Sequence, residues 1–210
     1  MKKALLIVSV LFIAVISTAC INNIAVQELN NKAAEYMQKG DYEEAINRLQ
    51  ASLDLDATMY ETYYNLGIAA INAHKYEKAI KAFEDGIKIK PDFADFYYSL
   101  GLAQASYADE LCEPKPDEEK PVNNQEPQQN SVDVKSTVIS LKQAASENLK
   151  KYLELSPDTK DKQTVEALIT ECEDFVTDKN TQEMAAQYGL LLTLKFYALY
   201  LVSIYITMGF

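Results

Sequence analysis

The sequence is poor in the residues that most catalytic chemistry needs. Its 210 residues include one histidine, three cysteines, no tryptophan and six glycines. So few histidines and cysteines leave too small a donor set for a metal centre built on those side chains. No GxxxxGK[ST] or GxGxxG run occurs, which excludes the glycine-rich loops that cradle phosphates. Basic residues are scarce too: 20 Lys and Arg stand against 31 Asp and Glu, a formal net charge of −11. Nucleic-acid binding depends on clustered Lys and Arg that release counterions, so nucleic acid is not an expected partner. No acid, base and nucleophile fall into a catalytic spacing, so no catalytic residue, cofactor, metal or small-molecule substrate is assigned. Acidic pairs such as Glu43-Glu44 and Glu118-Glu119 read as solvated surface.

What is present is unevenly spread. Ala4 to Ile16 is apolar at 12 of 13 positions and Tyr188 to Phe210 at 17 of 23, whereas the charge lies almost entirely between them. Met1-Lys2-Lys3, the apolar run and the small residues Ser17-Thr18-Ala19 before Cys20 form a signal-peptide pattern over residues 1–19. The run is too short to cross a bilayer comfortably. Ser17-Thr18-Ala19-Cys20 resembles the lipobox of bacterial lipoproteins. That resemblance implies that Cys20 becomes the lipid-bearing first residue of the mature chain, outside the cytoplasm. Ile21 is not the aspartate that marks inner-membrane retention in enterobacterial lipoproteins, so the outer membrane is the implied destination. Loss of Lys2 and Lys3 would take the net charge to −13. A chain that acidic is repelled by anionic headgroups, so acyl chains must supply the anchor. Residues 20–25 form a tether, of which the five residues Cys20 to Ile24 reach roughly 17 Å fully extended.

The middle of the chain repeats. At an offset of 34, Asn31 falls on Asn65, Ala33 on Gly67, Tyr42 on Tyr76, Ala45 on Ala79, Ile46 on Ile80, Leu49 on Phe83 and Leu53 on Ile87. A further step places Tyr63-Tyr64-Asn65-Leu66-Gly67 on Tyr97-Tyr98-Ser99-Leu100-Gly101. This period and its apolar spacing resemble the tetratricopeptide repeat (TPR) family. Tyr63, Leu66, Gly67, Ala79, Phe83 and Pro91 fill that family's pattern in Tyr60 to Phe93. Val26 to Met59 keeps Ala33, Tyr36, Gly40, Tyr42, Ala45 and Leu49, with Ala57 where proline is usual. Small residues such as Ala33, Gly67, Ala79 and Gly101 let two helices approach closely, while Leu and Phe four residues on fill the gap between them. Asp41 with Glu44 reads as a capping box. The resemblance implies an all-α, right-handed α-solenoid of about three helix pairs.

Residues 26–112 then hold repeats 1 and 2 and the first helix of repeat 3. Residues 113–133, with four prolines and hardly an apolar side chain, are expected to be a disordered insertion. The second helix of repeat 3 is expected over 134–157, where Ala145, Leu149, Tyr152, Leu153, Leu155 and Pro157 match the repeat. Residues 158–178 carry Val165, Leu168, Ile169, Cys172, Phe175 and Val176 at helical spacing and are expected to cap the stack. Residues 181–210 form a hydrophobic C-terminal helix with three open readings. It packs on the solenoid, it spans a membrane, or it is a non-native tail. Lys195 within it, and the lack of a later Lys or Arg, count against spanning.

In TPR proteins the first helices line the concave face. The resemblance maps a peptide groove to Tyr64, Asn65, Ile68, Asn72, Tyr98 and Leu102, with Ile71, Ala105, Asn30, Ala34 and Met37 beside them. TPR domains that clamp a terminal carboxylate use Lys and Arg there, and this chain has none at those places. Tyrosines and asparagines suit a peptide with apolar anchors, the amides bonding its backbone. The same side chains also suit packing against the next helix. His74 falls at a turn where the family has glycine and is expected to be exposed. Cys112 and Cys172 lie on first helices of successive units and either pair or remain free thiols. The expected function is a non-enzymatic scaffold for protein partners in an envelope complex. Pilotins of type IV pili and barrel-assembly lipoproteins look like this. The alternatives are an integral membrane subunit held by its C-terminal helix and an envelope enzyme.

Overall fold

The computed structural model describes residues 24–113, 128–179 and 182, with side chains from residue 134 onward in the second of these stretches. The signal segment, Cys20, most of residues 113–133 and the hydrophobic C-terminal stretch lie outside the described residues. Among the described residues there are seven helices: α1 (24–38), α2 (Tyr42–Leu55), α3 (Tyr60–Asn72), α4 (Tyr76–Ile89), α5 (Ala94–Cys112), α6 (Gln128–Leu155) and α7 (162–179). None of them is long and apolar enough to cross a membrane.

The helices pair as antiparallel hairpins, α1 with α2, α3 with α4 and α5 with α6. α7 packs on the last pair. The first two hairpins turn in the same way. Gly40 has φ +77° and His74 has φ +55°, both left-handed. At each turn the following backbone N–H reaches back to close the helix: Asp41 N–H to Tyr36 O at 2.9 Å, and Lys75 N–H to Ala70 O at 2.8 Å. Asp41 then caps α2, its carboxylate accepting from Glu44 N–H at 3.4 Å. α2 stops at Asp56, whose carboxylate accepts from Thr58 N–H (2.9 Å) and Thr58 Oγ1 (2.6 Å) in a tight turn before α3. Pro91 and Pro157, which cannot donate to a continuing helix, follow α4 and α6.

Within a pair, the helices approach through glycine. A β-carbon at Gly67 would lie 2.3 Å from the Phe83 ring, and one at Gly101 would lie 2.8 Å from Leu149 Cγ. Phe83, Phe96, Ile46, Leu49 and Leu149 are the largest fully buried side chains of the resulting core. One cluster runs from Ala33 to Ala103. A second, of Leu149, Tyr152, Val165 and Ile169, joins α6 to α7.

The third hairpin departs from the other two. Ala108, which stands where Gly40 and His74 turn the chain, is fully buried inside α5, and the helix runs on to Cys112. α6 begins at Gln128, inside the stretch expected to be loop, and runs beyond the span of α2 or α4. The two helices therefore form a longer hairpin. Lys142, a buried ammonium, holds it closed 2.6 Å from the exposed Asp109 carboxylate. The expected capping segment contains α7, which starts later than 158 because Pro157 and the turn after it precede the helix. Cys112 and Cys172 are both free, the first exposed at the end of α5 and the second buried in α7.

Candidate functional site: the face of the first helices

The first helices α1, α3, α5 and α7 lie side by side. Asn30 on α1 bonds Thr62 on α3 at 3.1 Å. On α3, Tyr60 and Tyr64 meet Phe96 of α5 edge-on, with ring centroids 6.4 and 5.7 Å apart. Between α5 and α7, Tyr98 packs with Leu168 against the cluster around Val165. Burial is the first cause that raises the Tyr98 phenol above its ordinary pKa, and the negative charge of Asp161 adds to it. Residues 34 apart on α1, α3 and α5 therefore form rows across the face. α7 follows the longer third hairpin and buries Val165, Ile169 and Cys172.

Each residue expected in the groove has a definite place. Ile68 and Leu102, both half-buried, stand in one row, which Ala34 begins. Ile68 rests on the main core, as do Ile71 and Met37. Asn65 is half-buried and its side-chain amide makes no hydrogen bond to another described residue. Asn72 is exposed, and its amide Nδ2 donates to Ile68 O at 2.8 Å. Ala105 is half-buried. Asn30 is occupied by Thr62 and Ala34 is exposed.

The two tyrosines do structural work. Tyr64 meets Phe93 at 5.5 Å, Phe96 at 5.7 Å and Phe83 at 6.1 Å between ring centroids. Tyr98 meets Tyr152 at 5.1 Å between ring centroids, the rings tilted by 44°. Both wall the face from within, which makes truncating either one a poor probe of binding. The residues open to a ligand without such a role are Asn65 and Leu102. Sequence reading did not single out Glu61 and Asp95, exposed carboxylates three residues N-terminal to Tyr64 and Tyr98. A search of the 34-residue register for charge would have found both.

His74 is exposed, and its Nδ1 lies 3.2 Å from the Tyr76 hydroxyl. Among the described residues no group of three or more His, Cys, Asp or Glu is placed to hold a metal ion. A cavity of about 430 Å³ opens on the opposite side, between α2, α3 and α4, lined by Leu53, Ala57, Tyr63, Lys78, Lys81 and Asp85. Within it Asp85 is engaged, with Lys81 at 3.5 Å and Lys88 at 2.7 Å.

A family model for the tetratricopeptide repeat matches residues 36–105, a third of the chain. The fold is an all-α TPR solenoid. Solved structures agree over a longer stretch at low identity. The Arabidopsis OM64 TPR domain has a TM-score of 0.53 at 14% identity, covering 71% of this chain and 98% of that one. The second TPR domain of human RPAP3, solved with an HSP70 peptide SGPTIEEVD, scores 0.52 at 14% identity, with 72% and 98% covered. The Yersinia enterocolitica type III secretion chaperone SycD, solved with a peptide of the translocator YopD, scores 0.50 at 15% identity, with 73% and 93% covered. A comparison with curated protein sequences finds no match. The TPR fold makes the face of α1, α3, α5 and α7 the concave one. Cys20, the expected lipidation site, lies outside the described residues, and α1 already begins within the expected tether at residue 24.

Proposed function

We propose that this chain is a non-enzymatic TPR scaffold that holds a peptide segment of a protein partner on its concave face. The observation that carries this reading is the half-buried pair of Ile68 and Leu102 beside Asn65, whose side-chain amide has no hydrogen-bond partner among the described residues. Apolar side chains left partly open on a rigid face, next to a spare donor and acceptor, suit a bound chain that brings its own apolar anchors and backbone amides. Similarly folded domains, RPAP3 and SycD, were solved with peptides. The peptide of the RPAP3 complex is acidic at its end, and a concave face without Lys or Arg does not suit that charge.

A photo-crosslinking residue at Leu102 or Asn65 in the full chain, expressed in its host, tests the reading. Discrete protein adducts are expected from both positions, lost on Ile68→Lys, and absent with the crosslinker at Glu84 on the outer face. Equal labelling from both faces, or none from Leu102 and Asn65, overturns it.

The scaffold reading extends to attachment outside the cytoplasm through lipidated Cys20, at the outer membrane, in assembly of an envelope complex. What supports this is the Ser17-Thr18-Ala19-Cys20 pattern after a short apolar run. With α1 starting at residue 24, little chain separates Cys20 from the solenoid. Alkaline carbonate extraction of Cys20→Ala decides between anchors. Release into the supernatant supports the lipid. Retention in the pellet supports a span formed by the hydrophobic C-terminal stretch.

A further inference from the structure

The third hairpin carries a part that the first two lack, and that part presents an apolar groove. Leu149 meets Gly101 as Phe83 meets Gly67, so Lys142 on α6 stands where Tyr76 begins α4. Everything before Lys142 on α6, and everything after Ala108 on α5, is therefore extension. Leu111 from α5, Val134, Val138 and Ile139 from α6, and Phe175 from α7 line a cavity of about 210 Å³ there, with the exposed Cys112 at its mouth. Val138 at its base is 3% exposed, whereas Val134 is 41% exposed and Leu111, Ile139 and Phe175 are half-buried. Lys142 and Lys179 hold their ammonium groups 5.8 and 5.6 Å from the centre of the Phe175 ring, which fixes that wall. The cavity is smaller than the roughly 300–1,000 Å³ of small-molecule sites. It suits apolar side chains carried by a neighbouring segment.

The chain itself carries such a segment. α7 runs past the cavity, and Lys179 on its last turn belongs to the lining. Gln182 is still tied to that turn, its Nε2 donating to Asp178 Oδ2 at 2.8 Å. Residues 183–210 follow directly, and Tyr188 to Phe210 is apolar at 17 of 23 positions. From Gln182 to Tyr188 the chain reaches about 20 Å at full extension, so the apolar stretch needs no long loop to return to the cavity. Attachment to α7 also keeps its effective concentration there at roughly millimolar. Lys195 opposes burial of this stretch in a bilayer, whereas on an open groove its ammonium can reach water.

We infer that residues 183–210 fold back on the end of the third hairpin and seat apolar side chains in the cavity of Leu111, Val134, Val138, Ile139 and Phe175. The segment then covers the apolar extension that α5 and α6 leave open, as the terminal unit of a solenoid covers the last face of its core. This packing is independent of the peptide reading of the concave face.

A photo-crosslinking residue at Val134, in the full chain expressed in its host, tests it. The expected product keeps the mass of one chain and joins the tryptic peptide ending at Lys135 to peptide 180–195 or 196–210. Leu111→Lys with Ile139→Lys, two half-buried residues outside both core clusters, should lower that product at least ~10-fold and leave the helicity of the purified protein unchanged. The crosslinker at Glu84 on the outer face should give none of it. A product with the mass of two chains means that a second copy fills the cavity and overturns the inference. An adduct with another protein in place of the tail product, or no tail product at all, overturns it as well. Equal tail products from Val134 and Glu84, or an unchanged yield in the double variant, mean that the segment touches the surface without seating and also overturn it. Retention of Cys20→Ala in the carbonate pellet would show that the stretch enters the membrane instead. Loss of adducts from Leu102 and Asn65 with the tail product intact overturns only the peptide reading.

Discussion

Gly101 and Leu149 meet as Gly67 and Phe83 do: a β-carbon on either glycine would collide with the facing side chain. The first pair is separated by 48 residues and the second by 16, so the third hairpin closes on the same contact across a much longer excursion. The contact at Gly101 is the tighter constraint in one respect. Ala145 O, a backbone atom, would lie 3.1 Å from the added carbon and cannot swing aside. Gly101→Ala is therefore expected to cost about 2–3 kcal/mol, read as a lower urea midpoint. Adding Leu149→Ala should cost less than the sum of the two single changes, because the cavity it leaves receives the new methyl. Strict additivity would show that the two residues do not touch.

The hairpin turns predict a pair of opposite effects. Gly40 has open space around its α-carbon, so Gly40→Ala introduces only the left-handed backbone cost, about 1 kcal/mol of lost stability. His74 already bears that cost at φ +55°. His74→Gly is expected to raise stability by about 0.5 kcal/mol, less than the full cost because glycine is also freer in the unfolded chain and the Tyr76 contact is lost. Thermal unfolding of both variants checks the signs. A destabilised His74→Gly would show that the contact with Tyr76 outweighs the backbone.

Lys142 predicts an asymmetry. Its ammonium is buried, whereas its partner Asp109 is exposed. Asp109→Asn leaves a positive charge in the protein with its best acceptor gone, and about 1–2 kcal/mol of stability should be lost, less than for a fully buried pair because Asp109 is reached by water. Lys142→Met removes the charge and keeps the stem, so it should be nearly neutral. Equal losses in the two variants would contradict a cost that comes from the stranded charge.

The two thiols should react in different regimes. Burial, the largest cause, pushes the Cys172 thiol above its ordinary pKa; neighbouring Lys142 pulls the other way. Cys112 is exposed. In a native thiol assay, Cys112 is expected to react at once and Cys172 only as the chain unfolds. Because folding favours the protonated Cys172, its stabilising effect is complete below the unfolded thiol pKa and fades as pH rises through the higher folded value. Cys172→Ala should remove that part of the alkaline loss. Fast modification of both cysteines in the folded chain would show that α7 does not cover Cys172.

Much of this architecture is written locally. The 34-residue register of Asn31 to Leu53 on Asn65 to Ile87, with small residues facing large ones, specifies helix pairs that must stack because none can bury its apolar side alone. Asp41, Gly40 and Pro91 mark helix ends by backbone geometry that each residue imposes itself. The groove was legible only as a set of rows. Tyr64 and Tyr98 looked like ligand contacts, yet their rings meet Phe93, Phe96 and Tyr152, residues that no spacing along the chain assigns to them.

Period, polarity and turn residues thus determined by themselves that this chain would form a helical-repeat solenoid, because helix pairing at a fixed offset depends on contacts a few tens of residues apart. The tertiary structure decided that Ala108 continues a helix where Gly40 and His74 end one, that α7 packs on the third pair through Val165 and Ile169, and that Tyr64 and Tyr98 are taken up by Phe96 and Tyr152. Those outcomes depend on which surfaces of distant helices are buried together, and burial is settled only when the whole stack has closed.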